Sequence, residues 1–191
     1  VIPVDGSDGA TTAAGHGFAL ADRFGASVSV LSVVAHPTLR LTATDDERAR
    51  LRSSAEAVVD DVAALAPESV RPVATDVVSG TPVTRIVEHA ADRDADLIAV
   101  GRRGATGLGD RLLGGVTERV LRRSEVPVLV VPDSDAEVGE PPGYSRVLVP
   151  TDGSDSAGAA VPHGASVARA FGAAIHVVNV VDLQAEGGVF N

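Results

Sequence analysis

Leu97-Ile98-Ala99-Val100-Gly101-Arg102-Arg103-Gly104 passes from a short apolar run into a glycine loop, and nine residues separate Gly104 from Gly114-Gly115-Val116-Thr117. Helix-like sequence follows, Thr117 to Ser124. Glycines between a strand and a helix start let main-chain N–H groups approach an anion closely, and the helix N-terminus adds partial positive charge. That chemistry holds phosphate without an amine, and the chain has no lysine.

Working outward, apolar runs alternate with helical spacing. Val1–Val4 reads as a first strand. Ala10, Ala13, Ala14, Gly17, Ala21 and Phe24 mark one helical face, and Val28–Val34 is a second strand. Thr44-Asp45-Asp46-Glu47 is a capping box opening a helix with apolar positions Leu51, Ala55, Val58, Val62 and Leu65, which Pro67 ends. Val70–Val78 is a third strand, interrupted by Pro72. Thr81-Pro82 starts a helix whose Ile86, Val87 and Ala90 face inward. Leu97–Val100 and Val126–Val131 complete five strands. The alternation predicts an α/β fold, a doubly wound parallel sheet covered on both faces.

The chain then repeats itself. Val1–Ala35 aligns with Leu148–Asp182 at a constant offset of 147, with sixteen of thirty-five positions identical, among them Asp5/Asp152, Gly6/Gly153, Ser7/Ser154 and His16/His163. A period of this size is a domain length, not a solenoid repeat. Pro132 to Gly143 is rich in acids, prolines and glycines and reads as a linker. The expected organisation is a domain at 1–132, a linker at 133–143 and a truncated second copy at 144–191. That copy offers only a strand (Arg146–Val149), a helix (Ser156–Phe171) and a strand (Ile175–Val181), and reads as the stub of a longer protein.

Composition narrows the function. Net charge is −10, from 26 acids against 16 arginines. This opposes general nucleic-acid binding and anionic membranes. No run reaches membrane-spanning length without a charge or breaker, no secretion signal is visible, and a cytoplasmic location is expected. Without cysteine there are no disulfides, thiolate metal sites or cysteine nucleophiles. The acidic, lysine-free, valine- and alanine-rich composition is similar to that of salt-accumulating archaea. A high-GC genome would also replace lysine by arginine. In ~1 M salt the Debye length is ~3 Å, so local charges decide nucleotide binding. Locally, Arg102, Arg103 and Arg111 outnumber Asp110.

Doubly wound sheets bind ligands where the winding reverses, between strands one and four in the common order. Asp5-Gly6-Ser7-Asp8 leaves strand one and the glycine loop leaves strand four, so the two should share a crevice. Each feature has a plainer reading. Asp5 also suits a loop cap, a glycine loop is often only a turn, Arg102 and Arg103 suit a solvated surface, and Thr117 suits a helix-terminus hydroxyl. His16 and His163 occupy equivalent helical positions, as packing or surface residues would. His36, His89 and His176 lack metal-ligand spacing. Ser7 lacks the Gly-x-Ser-x-Gly elbow of a hydrolase.

Together, Pro3-Val4-Asp5-Gly6-Ser7, Gly-x2-Gly-x9-Gly and Val126-Pro127-Val128-Leu129-Val130-Val131 resemble the universal stress protein family over 1–132, and its opening half-module again at 145–182. The resemblance implies a five-stranded parallel sheet of order 3-2-1-4-5, and the glycine pattern implies the ATP-binding branch. By position, Asp5 would contact the nucleoside, with Pro3 and Val4 beside it. Val33 would hold the adenine edge through its backbone. Gly101, Arg103 and Gly104 would line the phosphate path, and Gly114, Gly115, Val116 and Thr117 would offer N–H groups, Thr117 a hydroxyl as well. The family usually places serine or threonine where this chain has Gly115.

The implied ligand is ATP, AMP or ADP, with Mg²⁺ possible and no carboxylate assigned to it. The implied role is a regulatory, nucleotide-sensing stress-response module with at most weak hydrolysis, because no base is placed to activate water and Walker A is absent. The alternatives are a slow ATPase or adenylate-transferring enzyme on the same fold, and a dimeric scaffold with an empty crevice. Val126–Val131 is the expected pairing edge, for a homodimer or an intramolecular pseudo-dimer. A downstream protein partner is implied but not identified.

Overall fold

The computed structural model describes residues 1–35, 44–104, 113–133 and 142–180. In the first compact unit, Val1–Pro142, β1 (Ile2–Val4) leads to α1 (Asp8–Phe24), β2 (Val28–Ala35), α2 (Asp45–Ala64), β3 (Val73–Gly80), α3 (Pro82–Asp92), β4 (Ile98–Gly101), α4 (Gly115–Arg123) and β5 (Val128–Val131).

Local chemistry sets these limits. The Ser7 hydroxyl accepts from Ala10 N at 3.3 Å to start α1, and Gly25 ends it in the left-handed region at φ 62°. Both halves of the capping box form at α2: Glu47 N donates to Thr44 Oγ1 at 3.3 Å and Thr44 N to Glu47 Oε2 at 3.1 Å. β3 begins later than the apolar run suggests. Val70 closes a short 3-10 turn, Glu68–Val70, and Pro72 sits just outside the ladder, where its missing N–H costs no strand bond. On α3 the buried set is Val83, Ile86 and Ala90; Val83, not the half-buried Val87, completes the inward face. The spacing of three and four residues from Val83 fits one helical stripe.

β1, β2 and β3 form one parallel sheet, β2 central, and β4 pairs with β5 in parallel. The expected continuous five-stranded ladder therefore divides into three and two strands. β1 is only three residues long. At its entry the Val1 amino group donates to Leu97 O at 2.8 Å and Ala99 N donates to Val1 O at 2.9 Å. These bonds tie Val1 to β4 without a regular ladder.

Alternation along the strands sends successive side chains to opposite faces. Ile2, Val4, Val30 and Ala99 pack with Ala14 and Phe18 of α1 and Val59 and Val62 of α2. Leu31 and Ile98 pack with Val83, Ile86 and Ala90 of α3 and Val120 of α4. Val30 and Leu31, neighbours in sequence, are both 0% exposed. Each such burial contributes roughly 1.5–3 kcal/mol. A sheet apolar on both sides has to be doubly covered, and the helices supply both layers.

The second unit, Gly143–Asn191, is described as β6 (Arg146–Pro150), α5 (Asp155–Phe171) and β7 (Ala174–Val178), with β6 and β7 parallel. It repeats the caps of α1. Ser154 accepts from Ala157 N at 3.1 Å, and Gly153 (φ 83°) matches Gly6 (φ 81°). Its apolar strand face is less covered: Val177, the counterpart of Val30, is 68% exposed.

In the first unit, His89 Nε2 lies 2.9 Å from Ser29 Oγ and 3.8 Å from Asp76 Oδ2, while Arg93 donates to the same Asp76 oxygen at 2.7 Å. Burial, then the Arg93 charge, hold the His89 pKa below its ordinary value despite Asp76. Burial lowers His16 likewise. The folded state therefore binds fewer protons than the unfolded chain just below the ordinary histidine value of about 6.5. This stabilisation is complete above that pH and is lost as pH falls through the lower folded values. Thermal unfolding should show Tm falling between about pH 7 and pH 5, and His89→Gln should flatten part of that fall, His16 and the Val1 amino group, which burial lowers to about 6, retaining the rest.

Candidate functional site

The site is built from two loops that leave adjacent regions of the first unit. After β1, Gly6 turns the chain at φ 81°, and Asp5 Oδ1 accepts from Ser7 N at 3.1 Å and Ser7 Oγ at 2.6 Å. One carboxylate oxygen thus organises the turn that starts α1, as a cap would. The other oxygen, Oδ2, faces Gly104, where an added methyl would strike it. In the second unit Ser154 N donates to Asp152 Oδ1 at 2.9 Å; hydrogen bonding from Ser154, its hydroxyl first, holds the Asp152 carboxyl below its usual range.

The loop after β4 is pinned at each end. Arg102 N donates to Val131 O at 2.7 Å and Gly114 N to Arg102 O at 2.8 Å. The Thr117 hydroxyl, in a residue 3% exposed, donates to Gly101 O at 2.8 Å. A side chain on Gly101 would come within 2.6 Å of Gly9 O. Gly101 and Gly104 are therefore glycine because main chain and Asp5 occupy the space a Cβ needs. α4 begins at Gly115 with Gly114 as its N-cap and no side-chain cap hydrogen bond. Among the described residues no side chain caps its first N–H groups, where the positive end of its dipole lies.

Two arginines flank this loop. Arg102 Nη2 lies 2.7 Å and Arg103 Nη1 3.4 Å from the same atom, Asp133 Oδ2. Asp133 follows β5 closely. The sequence reading places it in a linker, and it emerges instead as the main acidic neighbour of the arginine pair. An acid just after the Val-Val-Pro ending of strand five was the available signal.

The contacts bring Asp5, Gly101, Arg103, Gly104 and Gly114 together. Pro3 and Val4 are buried, so only their main chain can face a ligand. Val33 pairs with Val78 in the β2–β3 register, one residue beyond the Val4–Ser32 pair, which puts its backbone beside the end of β1. Gly115 is exposed, and among the described residues a Cβ there would meet Arg119 Nη2, at 3.8 Å. Val116 is partly buried against the α3–α4 cluster. Thr117 has its hydroxyl hydrogen committed to Gly101. Asp110, Arg111, His36 and most of the linker lie outside the described residues.

Ser29, His89 and Asp76 form a Ser-His-Asp grouping, but one ring nitrogen, Nε2, faces both the serine and the acid. A relay needs the two ring nitrogens to face different partners. Among the described residues no group of three or more His, Asp or Glu is placed to hold a metal, and no helix is long and apolar enough to cross a membrane.

Parallel strands packed by helices on both faces, with the β4 loop laid against the turn after β1, define an α/β domain. The model of the universal stress protein family matches residues 1–132 and 143–190, and the chain belongs to that family. Universal stress protein MJ0531 of Methanocaldococcus jannaschii is 38% identical over 135 residues, covering 69% of this chain and 79% of that protein. The solved structure of MJ0577 superposes with a TM-score of 0.64 at 28% identity, over 71% of this chain and 95% of that one. A universal stress protein solved in complex with cAMP gives 0.52 at 29% identity, over 70% and 95%. One from Archaeoglobus fulgidus gives 0.72 at 25% identity, over 97% of this chain and 67% of its own.

Thr117→Val keeps the shape and removes the donor to the Gly101 carbonyl. Chemical denaturation should show a loss of about 1–3 kcal/mol, the cost of an unsatisfied buried acceptor, with Thr117→Ser recovering most of it.

Proposed function

We propose that the chain is an adenine-nucleotide-binding universal stress protein of the ATP-binding branch, acting in the cytoplasm as a regulatory module that reports nucleotide state to a protein partner. One observation carries the reading. Gly104 lies directly against Asp5 while α4 opens behind it without a side-chain cap. Asp5 then holds the nucleoside beside the backbone of Pro3, Val4 and Val33. Gly101, Arg103 and Gly104 line the phosphate path and the N–H groups of Gly115, Val116 and Thr117 meet the phosphates, ATP first, AMP or ADP otherwise, with Mg²⁺ as companion; the N–H of Gly114, expected to join them, is instead bonded to Arg102 O and shapes the loop. The relative solved with cAMP supports the ligand class. The two bonds of Val1 to Leu97 and Ala99 support the sheet order 3-2-1-4-5. Hydrolysis is weak at most.

The wider organisation belongs to the same proposal. The second family match and the Archaeoglobus fulgidus relative support a tandem protein, with a domain at 1–132, a linker at 133–143 and a shortened second domain at 144–191. Pairing runs through Val126–Val131, whose described strand residues Val128–Val130 are only half-buried, between chains or between tandem domains. The acidic, lysine-free composition supports a haloarchaeal source and argues against nucleic-acid and membrane partners.

A second reading, a scaffold without ligand, draws on internal satisfaction: Asp5 Oδ1, the Thr117 hydroxyl and the arginine pair all have protein partners. Native mass spectrometry of freshly purified protein separates the two and counts the subunits. The nucleotide reading requires an adenine nucleotide released on denaturation or ATP uptake on titration. Persistent absence of both leaves the scaffold. Gly104→Ala should abolish ATP uptake with little loss of helix signal, because the methyl displaces Asp5. Gly115→Ser restores a hydroxyl at an open position. One hydrogen bond to a charged group is worth about 1.5–3 kcal/mol, so ATP should bind about ten-fold tighter or more by calorimetry; equal or weaker binding would remove the phosphates from this loop.

A further inference from the structure

We infer that Asp133 is a built-in competitor for the phosphate chain, occupying Arg102 and Arg103 until a polyphosphate displaces it, and so sets how strongly the crevice favours one anion over another. The inference rests on the nucleotide reading of the crevice and deepens it. A single carboxylate oxygen, Asp133 Oδ2, takes Arg102 Nη2 at 2.7 Å and Arg103 Nη1 at 3.4 Å. These are the cations of the glycine loop among the described residues. The third side of the arrangement is the first turn of α1: a methyl on Gly9 would lie 3.5 Å from Asp133 Oδ1. The carboxylate thus stands between the arginine-bearing loop and the first turn of α1.

The pairing leaves capacity over. Arg102 Nε is buried without a hydrogen-bond partner, so the guanidinium is not saturated by Asp133. The three side chains are 32%, 38% and 40% exposed, open enough for an ion in solution to reach them. Ion pairs this exposed contribute little to folding. Their larger effect is on the local field. With Asp133 ionised, the two positive charges of the loop are partly cancelled and a polyphosphate must approach a carboxylate. With it neutral, that cancellation is lifted. The effect grows with ligand charge, so it discriminates ATP from AMP, and it is screened at high salt.

Calorimetry on the full chain at low salt, with ATP and AMP as probes, tests this. Asp133→Asn should bind ATP about 3–10-fold tighter, as expected for relief of one or two exposed pairs, with a smaller gain for AMP and a smaller gain for either in ~1 M salt. Asp133→Glu should stay near the parent, and Asp133→Ser should repeat the asparagine result by a different side chain. Unchanged ATP affinity in both neutral variants, or weaker affinity with unaltered circular dichroism, overturns the inference and leaves the nucleotide site standing; the weaker result would make Asp133 a buttress of the loop. Failure of parent and variants alike to take up ATP would remove the nucleotide reading and this inference with it.

Discussion

The approach of the β4 loop to the β1 turn is the constraint on which the site depends. Gly101 lies against the Gly9 carbonyl and Gly104 against the Asp5 carboxylate, both too close for any side chain. The closeness is possible because the layers beneath are thin. Ala13 and Ala14 of α1 are wholly buried, and small residues let a helix lie close over a strand. A core of valine and alanine, almost without aromatic rings, therefore does more than fill space. It sets the height of α1 above β1 and β4, and hence the separation of the two loops. The Thr117 hydroxyl then anchors α4 to the same Gly101 carbonyl end, so strand, loop and helix move as one piece.

Much of this was readable beforehand because local signals and tertiary demands agree. The capping box at Thr44, the proline opening α3 and the alternation at Val30–Leu31 each dictate a structure from a few neighbouring residues. The misreadings arose where the outcome depends on more distant parts. Val70 has a strand former's side chain, yet Pro72 and the turn after α2 take it into a 3-10 turn. Val87 fits the α3 stripe as well as Val83 on periodicity alone; only the packing of α3 against β2 and α4 chooses between them. Asp133 carries only a weak local signature, an acid just after the Val-Val-Pro ending of β5. Its meaning comes from a strand pairing, Gly101 with Val131, that brings it beside Arg102 from thirty-one positions away.

The internal repeat separates what a segment encodes from what its surroundings supply. α1 and α5 share caps, left-handed glycine ends and length, and the turns after β1 and β6 share an aspartate–serine bond. Those features travel with the sequence. Burial does not: Val28 is 6% exposed and its counterpart Ile175 47%. In the first unit α2, α3 and β3 cover β2, and nothing among the described residues of the second unit plays their part. The Asp152 turn therefore forms without a crevice around it, because a crevice needs the opposing glycine loop as well as the acid.

Charge follows the same division between global and local. A net charge of −10 would repel a nucleotide from this surface in dilute buffer. Among the described residues around the glycine loop the balance is different, with two arginines against two carboxylates, Asp133 and Asp5, so the charge there is near neutral. Long-range repulsion and short-range attraction respond unequally to salt: the first acts over many Debye lengths and vanishes, the second acts across hydrogen-bond distances and largely survives. A chain so acidic overall, yet near neutral at one loop, loses its long-range repulsion of anions first as ionic strength rises. Arginine suits that role better than lysine, since its planar fork keeps its hydrogen-bond geometry after the field around it has been screened away.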